Sequence, residues 1–462
     1  MGKRIQHRLL AIALCIIAGG GLFGCNRGSD SEIAKAEAAY EKREFSQAVA
    51  LSDSVLRKDP ASLGAHRVKA LASISQGEIE GTFNDYDRVE KKYPAIAPSL
   101  LREICIGMIK QAMTHENYFI RSSAVKAIGE MGDPSLIPLI IPGFKDQAPF
   151  VRFFTVEAVG QLGGPEAVKL LLAAGSDPDG MVRVAAVKSL DDLASPPAGI
   201  DVKNLLASFL NDGEITVKLF TLAALAKRGD EKATSELLES GRTLQGPARS
   251  AVAAALGRSK RAEAAPILIK MLTDSDKTLR MYAAEALGEM PAAGHFDPLA
   301  KALGDTDPAT RGAAATSLGK LGDAKAIPLL EKRLGDPDPI VRVSAAEGLA
   351  RLGKKEIPVY ETALRESDYA VRHFAVGSLR KVGGKEALPI LTKGLSDEAQ
   401  RVRIAVVRAI GEIGGPDAIP ILKTSLKDPD ASVRTYAAGN VGRLLGRTQE
   451  IQKKKEKKEG AG

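Results

Sequence analysis

DPDPIVRVSAAEGLARLG, residues 336–353, sets two acids, Asp336 and Asp338, just ahead of Arg342 and a run of small residues. Taken alone, the stretch admits three readings: a metal or phosphate site, an acid–base pair, or a turn leading into a helix. The rest of the chain decides among them. Arg342 belongs to a series, Arg121, Arg152, Arg183, Arg249, Arg280, Arg311, Arg342, Arg372, Arg403 and Arg434, with Lys218 filling its gap. Successive spacings are 31, 31, 35, 31, 31, 31, 31, 30, 31 and 31 residues. The long interval coincides with ASPPAGID (194–201), whose two prolines mark a loop insertion. Eleven copies of one unit therefore occupy about residues 97–446.

Each copy reads alike. Small residues follow the arginine at +3 and +4, a large aliphatic stands at +7, often glycine at +8, and another aliphatic near +10. Positions −1, +3, +7 and +10 share one face at helical spacing, so the arginine opens a helix with a narrow, alanine-rich buried stripe. A Gly-Asp or Gly-Gly break follows, then a second helix with an early proline: Pro266, Pro298, Pro328, Pro358, Pro389 and Pro420. Proline near a first turn has little hydrogen bonding to lose. Asp stands six residues before the series residue at 146, 177, 212, 274, 305, 336, 397 and 428. A catalytic pair would not be copied in every unit, whereas a ladder would, each Asp bonding backbone amides and an arginine of its own or the next unit. The second acids, Asp179, Asp276, Asp307, Asp338 and Asp430, fit helix N-caps, each contributing about 1 kcal/mol. As calcium loops they lack the remaining acids and the bidentate glutamate.

An early proline, an Asp at the helix end and Val-Arg opening the next helix six residues later resemble the HEAT family. The 31-residue period is similar to its HEAT-like branch of phycobilisome lyases. The resemblance implies an all-α fold, a right-handed α-solenoid (an α-α superhelix of helix-turn-helix repeats), with the Val-Arg helices lining its concave side. Neighbouring helices pack about 8–10 Å apart, so eleven units predict a stack on the order of 100 Å long. Residues 32–96 differ. EFSQAVALSDSVLRKDP and TFNDYDRVEKKYP each close on a proline, Pro60 and Pro94, and resemble two tetratricopeptide repeats.

The 462 residues exceed one ordinary core, and the absence of tryptophan with 4% aromatics suits a core of Ala, Leu, Ile and Val on helices. The formal charge of +8 is concentrated at the ends, on Lys3, Arg4 and Arg8 and on the lysine-rich residues 447–462. The body is close to neutral and offers no electrostatic footprint for nucleic acid. Residues 1–24 have signal-peptide anatomy: a basic start, an apolar stretch from Leu9 to Ile17, then small residues. Leu22-Phe23-Gly24-Cys25 resembles the lipobox of bacterial lipoproteins, which implies lipidation of Cys25, a short tether over 25–31, and a cell-envelope location. Asn26 after the cysteine implies the outer membrane, facing the periplasm. Cys105 then stands without a disulfide partner and reads as a small buried hydrophobe. Residues 447–462 read as a disordered, solubilising tail, or one that meets anionic headgroups.

No nucleophile constellation, phosphate loop or metal-ligand spacing appears, and no cofactor or metal is expected. Deoxyhypusine hydroxylase, a HEAT-like enzyme, binds iron through several His-Glu pairs, and here only His115-Glu116 has that form. Bilin lyases share the repeat type, but act in the cytoplasm. The concave face is where binding should show. Position +2 is aromatic at Phe154, Phe220, Tyr282, Phe374 and Tyr436, and +1 adds Phe153, Leu219, Met281 and His373. These side chains either pack against the next repeat or stand free as aromatic anchors for a partner. Mixed charges at +5 and +9, Lys188, Glu285, Glu347 and Arg408 among them, favour protein or peptide partners over a polyanion and point away from a small-molecule ligand. The expectation is a membrane-tethered, non-enzymatic scaffold. The alternative is a HEAT-like lyase, a chaperone for a cofactor protein, or an enzyme subunit.

Overall fold

The computed structural model describes residues 27–193, 200–290 and 294–459. The expected signal peptide and Cys25 lie outside the described residues. The chain forms two compact units, one ending at Ile96 and the other beginning at Ala97.

Among the described residues, the first unit has four helices, Arg27–Glu41, Phe45–Lys58, Leu63–Ser75 and Ile79–Lys92. Ala36, Ala39, Ala48, Val68 and Ala72 form its core, flanked by Tyr40 and Phe45. Phe83, Tyr86 and Val89 are buried on the fourth helix. Helix begins at Arg27, so most of the expected tether is helical.

In the second unit, each series arginine does open a helix. These helices are Tyr118–Met131, Pro149–Leu162, Gly180–Asp191, Ile215–Lys227, Ala248–Ser259, Lys277–Glu289, Pro308–Leu321, Pro339–Arg351, Tyr369–Val382, Gln400–Gly414 and Ala431–Glu459. We call them inner helices one to eleven. The last runs to Glu459, where the sequence suggests a disordered tail. Most of the second helices are shorter, many carry the early proline, and several adjoin 3-10 turns. In the eighth inner helix Val341, Ala345, Ala346 and Leu349 are fully buried, as the stripe predicts. The five second acids all cap: Asp338 Oδ1, for instance, accepts from Ile340 N at 2.8 Å.

The expected long stack is not what forms. Each inner helix packs on its successor, and the eleventh packs on the first and on the helix Ala97–Met113. The α-solenoid of the second unit thus closes into a ring of eleven inner helices. Arg408 on the tenth reaches across the closure to Glu130 on the first, Nε to Oε1 at 2.7 Å. Closure has a physical advantage. A solenoid's terminal repeats expose apolar faces that otherwise need caps, and here each end covers the other. The glycines at +8 permit the close approach: a Cβ on Gly319 would lie 2.3 Å from Gly348 Cα, and one on Gly257 2.7 Å from Ala286 Cα.

The acid–arginine ladder holds the turns. Arg311 donates from Nε and Nη2 to both oxygens of Asp336, 3.0 and 2.8 Å away. Its Nη1 donates to the carbonyl of Asp305 at 2.9 Å. Asp336 Oδ1 also accepts from Asp338 N at 3.0 Å. Each ladder Asp except Asp212 thus gives its carboxylate to the arginine 25 residues earlier and its carbonyl to the arginine six residues later; Asp212 takes Arg183, 29 residues earlier, across the loop insertion. The same two-pronged pairing joins Arg121–Asp146, Arg152–Asp177, Arg183–Asp212, Arg280–Asp305, Arg372–Asp397 and Arg403–Asp428. Glu366 replaces the Asp for Arg342 at 3.2 Å, and Lys218 pairs with Glu236 at 2.5 Å.

This ladder predicts an acid-labile fold. The arginine pairs hold Asp212, Asp274 and Asp305 below the ordinary carboxylate range. At Asp146, Asp336 and Asp397 burial pushes upward, but the arginine and a backbone amide outweigh it and the net direction is again down. A carboxyl depressed on folding stabilises the fold above its unfolded value, near 4, and loses that contribution as pH falls through the folded value. The melting temperature should therefore stay level from about pH 7 to 5 and fall steeply below about pH 4. A melting temperature unchanged between pH 6 and 3 would show that the ladder contributes little.

Candidate functional site

With the ladder occupying the turns, the inner helices turn their remaining side chains toward a central channel. A cavity of about 640 Å³ lies there, with walls drawn from inner helices three to nine. Of the side chains expected to meet a partner, Phe220, Met281, Tyr282 and Phe374 line this cavity, the last three half-buried. His373 is exposed, and Phe153 and Phe154 are half-buried. Three do not offer free surface: Leu219 is fully buried, and Phe220 and Tyr436 retain only 7% and 5% exposure. They are covered by the neighbouring repeat, so the structure does not support treating them as free anchors.

The cover has a pattern. The +5 cation of one inner helix lies over the +2 ring of the next. Lys126 sits 4.2 Å from the Phe154 ring centre, Lys188 4.0 Å from that of Phe220, and Arg408 5.5 Å from that of Tyr436. Such contacts contribute about 0.5–2 kcal/mol each. Burial lowers the proton affinity of Lys126 and Lys188, and Arg408 and Arg258 respectively lower it further. Between these lysines stands Glu157, pushed up by burial and pulled back by both of them.

Two features escape a reading of the repeats alone. Asp191 takes the +8 place that is glycine in sister repeats, and its side chain is fully buried. It pairs with Arg258 at 2.8 Å, Lys227 at 3.3 Å and Arg228. An acid at a glycine position was the available signal. The other feature is an apolar rim at the first turns of inner helices one to four. Tyr118, Phe119, Phe150, Met181 and Ile215 are 37%, 56%, 48%, 50% and 39% exposed. Tyr118 stacks on Phe119 with ring centres 4.2 Å apart and reaches Phe150 at 6.5 Å. Phe150 contacts Phe154 at 6.2 Å, and Phe154 contacts Phe153 at 5.0 Å. The signal was large apolar residues two or three places before the arginine, where later repeats have Thr278 or Ala309.

Cys105 is buried, and burial pushes its thiol far up, as expected for a packing residue. Among the described residues, no group of three or more His, Cys, Asp or Glu is placed to hold a metal. No described helix is long and apolar enough to cross a membrane.

A family model described as HEAT repeats matches residues 107–191, 169–257, 202–288, 241–302, 265–350 and 357–441. No curated protein matches the chain. Many solved structures are similar, three of them as follows. An engineered protein is 19% identical, with 74% of this chain and 98% of that one covered, at a TM-score of 0.26. The complex of CpcE and CpcF of phycocyanin lyase from Nostoc sp. PCC7120 is 19% identical, covering 54% and 97%, at 0.36. Human deoxyhypusine hydroxylase in complex with glycerol is 21% identical, covering 58% and 96%, at 0.27.

Proposed function

Since the chain belongs to the HEAT-repeat family, we propose that it is a scaffold without catalysis of its own, holding protein partners at the rim and channel of its ring. The observation that carries this is the aromatic rim. Tyr118 meets both Phe119 and Phe150, and all three remain well exposed. Contiguous exposed apolar surface of this kind marks interaction sites, and large aromatics dominate the energetics of such interfaces. The mixed charges of the channel suit a polypeptide better than a polyanion. We further propose that lipid on Cys25 tethers the chain in a bacterial cell envelope, at the periplasmic side of an outer membrane. The first unit, read as tetratricopeptide-like, would hold a separate partner.

Replacing Tyr118, Phe119 and Phe150 together by serine should reduce crosslinked partner recovered from native membranes at least about tenfold, since hot-spot aromatics contribute about 2 kcal/mol or more each. These side chains are surface residues, so melting should change little. Recovery equal to that of the unaltered chain would overturn the rim as the docking surface.

A further inference from the structure

The repeat breaks at two glycine places beside the central cavity. Asp191 is the first, and its buried carboxylate draws in Arg258, Lys227 and Arg228. Lys260 is the second. Eleven places after the series residue, Gly132, Gly163, Gly229, Gly322 and Gly353 take φ between 67° and 87°. Lys260 holds that place with φ 53°, and no other non-glycine residue described in the second unit has a positive φ. Left-handed backbone strains a residue that carries a Cβ, and strain of this kind gathers at ligand clamps. The Lys260 side chain is exposed and lines the cavity.

Cations are in excess here. Lys188, Lys227, Arg258 and Lys260 line the part of the cavity formed by inner helices three to five and the turn that follows, with Asp192 as the lining acid. With Arg228 and the buried Asp191 included, five cations are set against two acids. Two of these cations have donors to spare. Lys188 forms no ion pair with any described residue, and its ammonium rests 4.0 Å from the Phe220 ring centre. Arg258 commits Nη2 to Asp191, Asp192 and the carbonyl of Lys188, at 2.8, 2.7 and 3.3 Å. Its Nη1 donates to no described residue. Burial and then Arg258 lower the proton affinity of Lys188, as two cations do when no anion lies between them. Glu157 attracts Lys188, but also Lys126 and Arg408, and forms an ion pair with none of the three. Ala254 and Gly257, on the same helix as Arg258, line the wall with almost no side chain and leave room for a guest.

We propose that this end of the cavity binds one carboxylate, held between the Lys188 ammonium and Arg258 Nη1, with Lys260 on the solvent side. A carboxylate offers two oxygens to these two donors, and its charge offsets the excess of cations. Glu285, Glu289 and Glu347 line the part of the cavity formed by inner helices six and eight. They repel further negative charge, so the ligand presents a single anionic group and not a polyanion. The site deepens the scaffold function and rests on it only for the source of the carboxylate, which is an aspartate or glutamate of a bound polypeptide. A free small carboxylate shares the same chemistry.

The test is calorimetric titration of the full chain with three probes: a short peptide with blocked ends carrying one glutamate, its twin carrying glutamine, and propionate. The glutamate peptide should bind at least about tenfold more tightly than its twin, as a charge-assisted contact requires. Lys188→Met should abolish that preference, while its thioether keeps the packing on Phe220. Lys260→Gly restores the residue of the sister repeats. It should raise the melting temperature by releasing the left-handed strain, and yet weaken the preference about two- to fivefold. Propionate binding with the same response to both substitutions, but no gain for the peptide, would support the site and assign it to a free small carboxylate. Should Lys188→Met fail to fold, Lys260→Gly is read in its place. Binding of neither anion, or a preference unchanged by Lys188→Met or its stand-in, would overturn the proposal. Rim substitutions that leave partner capture intact would instead overturn the scaffold, so the two can fail separately.

Discussion

Asp336→Ala will destabilise the second unit by about 3–5 kcal/mol, whereas Glu366→Ala, at the next rung, will cost about 0–1 kcal/mol. Both changes remove a carboxylate facing a series arginine, so sequence position alone gives them equal weight. Their surroundings differ. Asp336 is 1% exposed and its partner Arg311 12%, with two parallel hydrogen bonds between them. Glu366 and Arg342 are 34% and 25% exposed and share one contact at 3.2 Å.

Removing one partner of a buried pair leaves the other charge uncompensated, and that penalty exceeds the net value of the intact pair. At Asp336 the loss is compounded, because its Oδ1 also accepts the amide of Asp338. Arg311 keeps its bonds to the carbonyls of Asp305 and Thr306, which holds the cost within the stated range. Glu366 sits where water can replace it. Denaturant unfolding of the full chain, followed by circular dichroism, reads both changes. Equal losses at the two positions would mean that the ladder acts through the turn geometry alone and not through buried charge.

That contrast shows which parts of the structure can be read from the sequence. The caps at Asp179, Asp276, Asp307, Asp338 and Asp430, the buried stripe and the ladder are all local rules, and eleven repetitions make a local rule visible. Closure is of another kind. It is the sum of small rotations between successive units, and no single unit encodes the total. The fate of the +2 aromatics depends on a neighbour: Phe220 has Lys188 over its ring and is 7% exposed, while Phe374, with Glu347 at the corresponding place, stays half-buried. Those pairs could be found only by reading +5 of one unit against +2 of the next. Asp191 and the rim break the repeat pattern and are visible in that sense, but burial of the one and exposure of the other are set by side chains distant in sequence.

Gly439→Leu will open the ring. Gly439 lies on the eleventh inner helix, where a Cβ would stand 2.8 Å from Ala127 Cβ and 3.0 Å from Ala127 O. The second of these atoms is backbone of the first inner helix and cannot move aside without the helix. Overpacking of this kind costs about 1–3 kcal/mol when the surroundings can adjust. Here the lower-energy adjustment is separation of the seam, with loss of the Arg408–Glu130 pair and exposure of both ends of the solenoid. The expected results are a larger radius of gyration in X-ray scattering and a lower melting temperature. Gly442→Leu should be milder, because the nearest atom is the flexible Met131 Cε at 2.7 Å. Gly377→Ala is the control: nothing lies within 4 Å of a Cβ there, so the substitution should stabilise its helix by about 0.5–1 kcal/mol. An open solenoid would leave Gly439 facing solvent and accept leucine at no cost, so the two topologies give opposite outcomes for a single residue.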